Sequence, residues 1–160
     1  MTTFIIVCAK YLVYVVAAVG LFYYWLTREW KNFGVFAALS LALAYILGWL
    51  AGKLWYDTRP FVADHSTPLI PHAANNGFPS DHMLLASAVA SIVFVYNRAL
   101  GLALWALALI VGLSRVAAGV HHLADIAGAA FVAIAATLIS YWLQSAFPLL
   151  RDDKPQLPLP

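Results

Sequence analysis

Residues 4–26 read FIIVCAKYLVYVVAAVGLFYYWL. The run is apolar apart from Lys10. A perpendicular membrane span needs ~20 such residues, so this stretch is expected to cross a bilayer as a helix. It is too long for the apolar core of a signal peptide and has no basic leader. Lys10 lies close enough to the helix end for its ammonium to snorkel outward. Cys8 sits inside the run and reads as plain membrane filling.

The rest of the chain agrees with that stretch. Of 160 residues, 64% are hydrophobic and only 10% are charged, against roughly 25% charged in soluble chains. Mean hydropathy is +0.84. A water-soluble globule of this size could not hide so much apolar surface. An ordinary cytosolic enzyme and a disordered chain are therefore excluded. A net charge of +2 is too small to argue for nucleic acid or another anionic polymer as a partner. One cysteine supports neither an intramolecular disulfide nor a cysteine metal site. The class that remains is all-α, a polytopic membrane helix bundle.

Four further spans are expected, at about Phe33 to Gly52, His82 to Tyr96, Ala99 to Leu113 and Leu123 to Phe147. One long loop, Asp57 to Asp81, carries Pro60, Pro68, Pro71 and Pro79. Residues 1–148 read as a single membrane domain, and 149–160 as a disordered proline-rich tail. Five spans put the termini on opposite sides. Arg28, Lys31, Arg98, Arg151 and Lys154 face one side; Lys53, Arg59 and Arg115 face the other. The positive-inside rule puts the five on the cytoplasmic side, with the N-terminus outside. Tyr23, Tyr24, Trp25 and Trp30 fit an inner aromatic belt, and Trp49, Trp55 and Tyr56 an outer one.

Charge near or within a membrane is a functional hypothesis by default. Lys53, Arg59, Ser80, Asp81, His82, Arg115, His121, His122 and Asp125 all fall on the outer side, as a single active site would require. Spans three and four are each about 15 residues, or ~22 Å, shorter than the ~30 Å hydrocarbon core. His82 and Arg115 are therefore expected below the outer interface, which suits a lipid head group. Each group also has a plain reading. Lys53 is a snorkelling anchor, Arg59 a loop charge, Ser80 or Asp81 a helix N-cap, and His122 interfacial. His65 and His72 read as loop histidines. Arg115, His121 and Asp125 resist such readings, because His121 and Asp125 at i and i+4 would share one helix face.

Taken together, Lys53…Arg59-Pro60, Pro79-Ser80-Asp81-His82 and Ser114-Arg115-x5-His121-x3-Asp125 resemble the three signatures of the type 2 phosphatidic acid phosphatase superfamily. The resemblance covers Lys53 to Asp125, and the third signature matches at every defined position. Five residues separate Lys53 from Arg59-Pro60, where the superfamily usually has six. Asp81 replaces the usual Gly of Pro-Ser-Gly-His and adds negative charge near an anion site. That Asp, with Arg59-Pro60-Phe61-Val62 and Leu69-Ile70-Pro71-His72-Ala73-Ala74, looks like the undecaprenyl diphosphate phosphatase branch.

The resemblance implies His121 as nucleophile, Asp125 as its orienting carboxylate and His82 as general acid, then base. Lys53, Arg59, Ser80, Asp81 and Arg115 would form the phosphate site, helped by the amides that open span three. Phosphoryl transfer is mostly positioning plus charge neutralisation. Three cations and scattered carboxylates point to no metal and no cofactor. The implied substrate is undecaprenyl diphosphate, a polyprenyl diphosphate lipid, cleaved on the outer face of the bacterial inner membrane. Lipid A 1-phosphate and phosphatidylglycerol phosphate are the nearest alternatives. A small transporter is more remote, since spans two to four carry no mid-span charge.

Overall fold

A computed structural model describes residues 1–147. Helices α1 (Thr2–Leu26), α2 (Trp30–Leu54), α3 (Pro60–Ala63), α4 (Asp81–Tyr96), α5 (Arg98–Ala117) and α6 (Leu123–Ala146) follow in order. The expected tail, with Arg151 and Lys154, lies outside the described residues.

The apolar runs set the helices and short polar breaks end them. Only Thr27, Arg28 and Glu29 separate α1 from α2. Asn97 alone separates α4 from α5, and its Oδ1 accepts the Leu100 N–H as an N-cap at 3.0 Å. Pro60 opens the single turn of α3, where its fixed φ suits a helix start and its missing N–H costs nothing.

Helix α4 is the axis of the bundle, packing against α1, α2, α5 and α6. Met83, Leu84, Ala86, Ala88, Ala90, Ile92 and Val93 are all buried, as expected of a helix that is apolar all round. Small residues let the backbones approach: a Cβ added at Gly101 of α5 would collide with the Phe94 backbone. The outer helices turn Phe4, Tyr11, Trp25, Leu102, Phe131 and Leu138 outward. Such an apolar exterior fits a lipid surround, and the chain is a multi-pass membrane protein. By length and apolarity α1, α2, α5 and α6 are long enough to cross a membrane, and α4 is shorter at 16 residues.

The fourth expected span is corrected. Its helix does not stop at Leu113 but runs to Ala117, so Arg115 belongs to the last turn of α5 rather than to a connecting loop. The helix continues because Ser114, Arg115 and Val116 carry no breaker. It ends where Gly119 adopts a φ of +74°, a left-handed conformation that only glycine enters without strain.

The bundle has two distinct ends. The ends of α2 and α5 and the starts of α1, α4 and α6 gather at one of them. At the other, Phe33 packs edge-on against Tyr23 and Tyr96, with centroids 5.4 and 5.1 Å away.

Candidate active site

The long loop is held by its own polar groups. Thr58 and Asn76 form an isolated antiparallel bridge, and the Gly77 N–H donates to the Asp57 carbonyl at 2.9 Å. Asn76 accepts the N–H groups of Asp57 and Phe78 on Oδ1. Its Nδ2 donates to the carbonyls of Gly52 and Trp55, tying the loop to the end of α2. A second anchor is apolar: Ile70 is buried against Ala9, Ala118 and Val120, and the Leu69 N–H donates to the Ala118 carbonyl at 3.0 Å.

These anchors position Arg59, which is 4% exposed. Asn75 Oδ1 accepts from its Nε at 3.0 Å and from its Nη2 at 2.9 Å. Nη2 also donates to the Asn76 carbonyl, and Nη1 to the Val120 carbonyl at 2.9 Å. Nη1 lies 3.3 Å from Nε2 of His121. On the other side of that ring, Nδ1 lies 3.1 Å from Asp125 Oδ2. The two partners assign the tautomer. A guanidinium only donates and a carboxylate only accepts, so Nδ1 carries the hydrogen and Nε2 presents its lone pair.

His121 is not on a helix face with Asp125, contrary to the i, i+4 expectation. It precedes His122, the N-cap of α6, and Asp125 is the N3 residue of a capping box. Asp125 Oδ2 accepts the His122 N–H at 2.8 Å and Nδ1–H of His121 together. The contact comes from helix-cap geometry, with Gly119 turning the chain back.

The remaining expected groups lie at the same end. Arg115, 3% exposed, donates from Nη1 to the Ala9 carbonyl at 3.3 Å, while its Nε has no partner among the described residues. Ser80 is the N-cap of α4 by position, but its buried Oγ makes no cap bond and has no partner among the described residues. A cap role therefore leaves its hydroxyl unexplained. Asp81 and His82 form the first turn of α4. Lys53 sits in the last turn of α2, exposed, with its ammonium 5.7 Å over the Trp49 ring. Lys53, Arg59 and Asp81 line a cleft of about 720 Å³ that continues along α2 past Trp49 to Tyr45.

Asp57, Asn75 and Asn76 join this end without having been singled out. His72 lies in the loop, as expected, and stands edge-on to His121, with ring centroids 5.9 Å apart and planes at 81°. His65, by contrast, is exposed. The Asn75-Asn76-Gly77 run was a visible turn signal, but no local pattern announced which side chain would clasp Arg59.

Asp57, His122 and Asp125 bring one ligand atom each within 4.8 Å of one another. Hydrogen bonds explain the approach: His122 Nδ1 lies 2.6 Å from Asp57 Oδ2, and the His122 N–H holds Asp125. Burial pushes the His121 imidazole below its ordinary pKa; Arg59 and Arg115 push the same way, and the Asp125 hydrogen bond opposes them. Burial first, then Arg59, Arg115 and His121, also lower His72, against the Ala73 carbonyl. Both rings are thereby biased toward the neutral form. Two buried guanidiniums beside one buried carboxylate make the site attractive to an anion.

The PAP2 superfamily model matches residues 33–148. The chain is 35% identical over 137 residues to the bacitracin transport permease protein BcrC of Bacillus licheniformis, covering 84% of this chain and 67% of that one. It is also 35% identical over 100 residues to undecaprenyl-diphosphatase BcrC of Bacillus subtilis (strain 168), covering 62% of this chain and 52% of that one. The chain thus spans two thirds of the first relative's length and about half of the second's. Among solved structures, LpxE of Aquifex aeolicus superposes with a TM-score of 0.71 at 23% identity, covering 88% of this chain and 85% of that one. That likeness is one of fold.

Proposed function

Because the chain belongs to the PAP2 superfamily, we propose that it is a membrane-embedded phosphatase converting undecaprenyl diphosphate to undecaprenyl phosphate and inorganic phosphate. The observation that carries the reading is His121, its Nδ1–H on Asp125 and its Nε2 lone pair at a buried guanidinium. Nε2 attacks the terminal phosphorus and forms the P–N bond of a phosphohistidine. The anhydride P–O bond breaks, and undecaprenyl phosphate departs with its electron pair. Asp125 holds the ring and offsets the positive charge that develops on it, as the carboxylate does in a Ser-His-Asp triad. Arg59 and Arg115 neutralise the equatorial oxygens with fork-shaped donors, and Ser80 adds a hydroxyl. His82 protonates the leaving oxygen where that is needed. It then takes a proton from the water that cleaves the P–N bond and frees inorganic phosphate.

The cleft supports a lipid substrate. It is polar at Lys53, Arg59 and Asp81, where a head group would sit, and apolar at Tyr45, Trp49 and Leu84, where a chain would lie. Lys53 and Asp81 are assigned to the head-group side of this cleft. The choice of a polyprenyl diphosphate rests on the relative named undecaprenyl-diphosphatase and on the sequence resemblance. We place the enzyme in the bacterial inner membrane with this end outward, where the spent lipid carrier of cell-wall synthesis would be recycled.

Phosphate release from purified protein tests the reading, with undecaprenyl diphosphate, lipid A 1-phosphate and phosphatidylglycerol phosphate as substrates. The diphosphate should give the highest kcat/KM. EDTA should leave most turnover intact, since guanidiniums carry the neutralisation, and vanadate should inhibit. A higher kcat/KM on either other lipid would replace the substrate assignment. Loss to EDTA with rescue by Mg²⁺ would replace the mechanism.

A further inference from the structure

His72 lies outside the three signatures and has no role in the mechanism above, yet its ring touches His121. Its position is built. Ile70 is buried two residues before it, the Leu69 N–H is fixed to the Ala118 carbonyl, and Asn75 is clasped by Arg59 three residues after it. The backbone is thus tied on both sides, and Pro71 limits it further. The side chain is part-buried. Its Nδ1 lies 3.3 Å from the Ala73 carbonyl, which makes Nδ1 the donor in the neutral ring. Nε2 then carries the lone pair and has no hydrogen-bond partner among the described residues.

Four titratable or charged groups act on this ring, while the carboxylates Asp81 and Asp125 act on its neighbours His82 and His121. The four are Arg59 from the loop, Arg115 from α5, His121 from the α5–α6 turn and His82 from α4. All four are cationic or able to become so. Before an anion arrives they oppose a charge on His72. A phosphoryl group bound to Arg59 and Arg115 reverses the local field, because its negative oxygens offset the cations that oppose a charge on the ring. The imidazole at this position is thereby converted from a disfavoured cation to a favoured one, and a protonated Nε2 becomes a charge-assisted donor.

We propose that His72 is a third histidine of the phosphate site, which takes up a proton as the phosphoryl group binds and donates a hydrogen bond from Nε2 to one of its oxygens beside His121. The inference rests on the phosphatase reading. The proton comes from solvent or from a monoprotonated terminal phosphate, and it returns when inorganic phosphate leaves. His72 makes and breaks no covalent bond. Its contribution falls on anion binding and on the phosphohistidine.

Sulfate is the probe, because it stays dianionic across the histidine range, so any proton taken up on binding is taken up by the protein. Its affinity is measured by calorimetry on the purified full chain, between about pH 5.5 and about pH 8, for wild type, His72→Ala and His72→Gln. His121 and His82 titrate in all three proteins, so the ratio of wild-type to variant affinity isolates His72. For His72→Ala that ratio should reach about tenfold or more at the acid end, the scale of a lost hydrogen bond to a charged group, and fall toward one at the basic end. His72→Gln, which donates without titrating, should bind sulfate with an intermediate affinity at the acid end. It also serves if the alanine variant does not fold. A ratio that is flat with pH, or near one throughout, in a variant that unfolds at the wild-type temperature overturns the proposal. Phosphate release by wild type from undecaprenyl diphosphate is recorded in parallel. Its absence would sink the phosphatase reading, whereas a flat sulfate ratio beside normal turnover sinks only the role of His72.

Discussion

His121 and His122 are neighbours in the chain and opposites in surroundings. His121 is 3% exposed and bridges Arg59 and Asp125, whereas the His122 side chain is 43% exposed and pairs with Asp57. His121→Ala should therefore reduce turnover to background. Asp125→Asn keeps the imidazole but loses its orientation and compensating charge, and should cost about 10²–10⁴-fold in kcat. His122→Ala keeps the backbone N–H that holds Asp125, so its cost should stay within about tenfold, since only a part-exposed bond to Asp57 is lost. Equal losses in the two histidine variants, measured by phosphate release, would contradict these assignments. The pH profile follows from the same burial. The attacking ring must be neutral, and burial disfavours its charged form, so its titration lies below the ordinary ~6.5. As pH falls, the nucleophile persists until that lowered value is crossed. The acid limb of kcat/KM should consequently lie below ~6.5, and a limb near neutrality would show that burial does not dominate.

At the scale of elements, the turn between α5 and α6 decides whether the third signature works. Arg115 ends one helix, Asp125 begins the next, and Gly119 at φ +74° makes the reversal between them. Gly119→Val forces a β-branched residue into the left-handed region, at a cost of roughly 1–2 kcal/mol. Gly119→Asn should cost less, because Asn enters that region more readily. Thermal unfolding in detergent reads the stability, and kcat reads whether His121 still meets Arg59. Equal destabilisation by Val and Asn would mean that space, not φ, limits the position. The long loop is the other deciding element. Its polar clasp through Asn75 and Asn76 does for Arg59 what a helix does for Arg115, holding a charged group buried where only an anion would complete its surroundings.

For the whole molecule, the distribution of charge matters more than its amount. Among the described residues, the buried charged groups Arg59, Arg115 and Asp125 all lie at one end. The hydroxyls of Ser87, Thr137 and Ser140 are spent on carbonyls one turn back in their own helices, whereas the buried Oγ atoms of Ser40 and Ser91 have no partner among the described residues. Sidedness is open to direct measurement in a Cys8→Ser background. Ser66→Cys in the exposed site-end loop should react with an impermeant thiol reagent added to intact cells. Glu29→Cys, exposed at the opposite end, should react only after lysis. The reverse pattern would place the site in the cytoplasm.

The sequence by itself determined the membrane class, the five apolar helices, the gathering of charge at one end and the residues of the third signature. These are properties of local order: hydropathy runs along the chain, and a motif spacing such as Arg115-x5-His121-x3-Asp125 survives whatever lies around it. The tertiary structure alone decided who meets whom across the long loop. Arg59 reaches the Val120 carbonyl across 61 residues of sequence, and His122 reaches Asp57 across 65. Contacts that distant leave no periodic trace, so Asn75, Asp57 and His72 looked like ordinary loop residues. The end of α5 differs from the expected Leu113 for a local reason, since Ser114, Arg115 and Val116 carry no breaker and the helix runs to Ala117, two residues before Gly119. Only the packing shows that Arg115 is buried in that last turn and held to the carbonyl of Ala9 in α1.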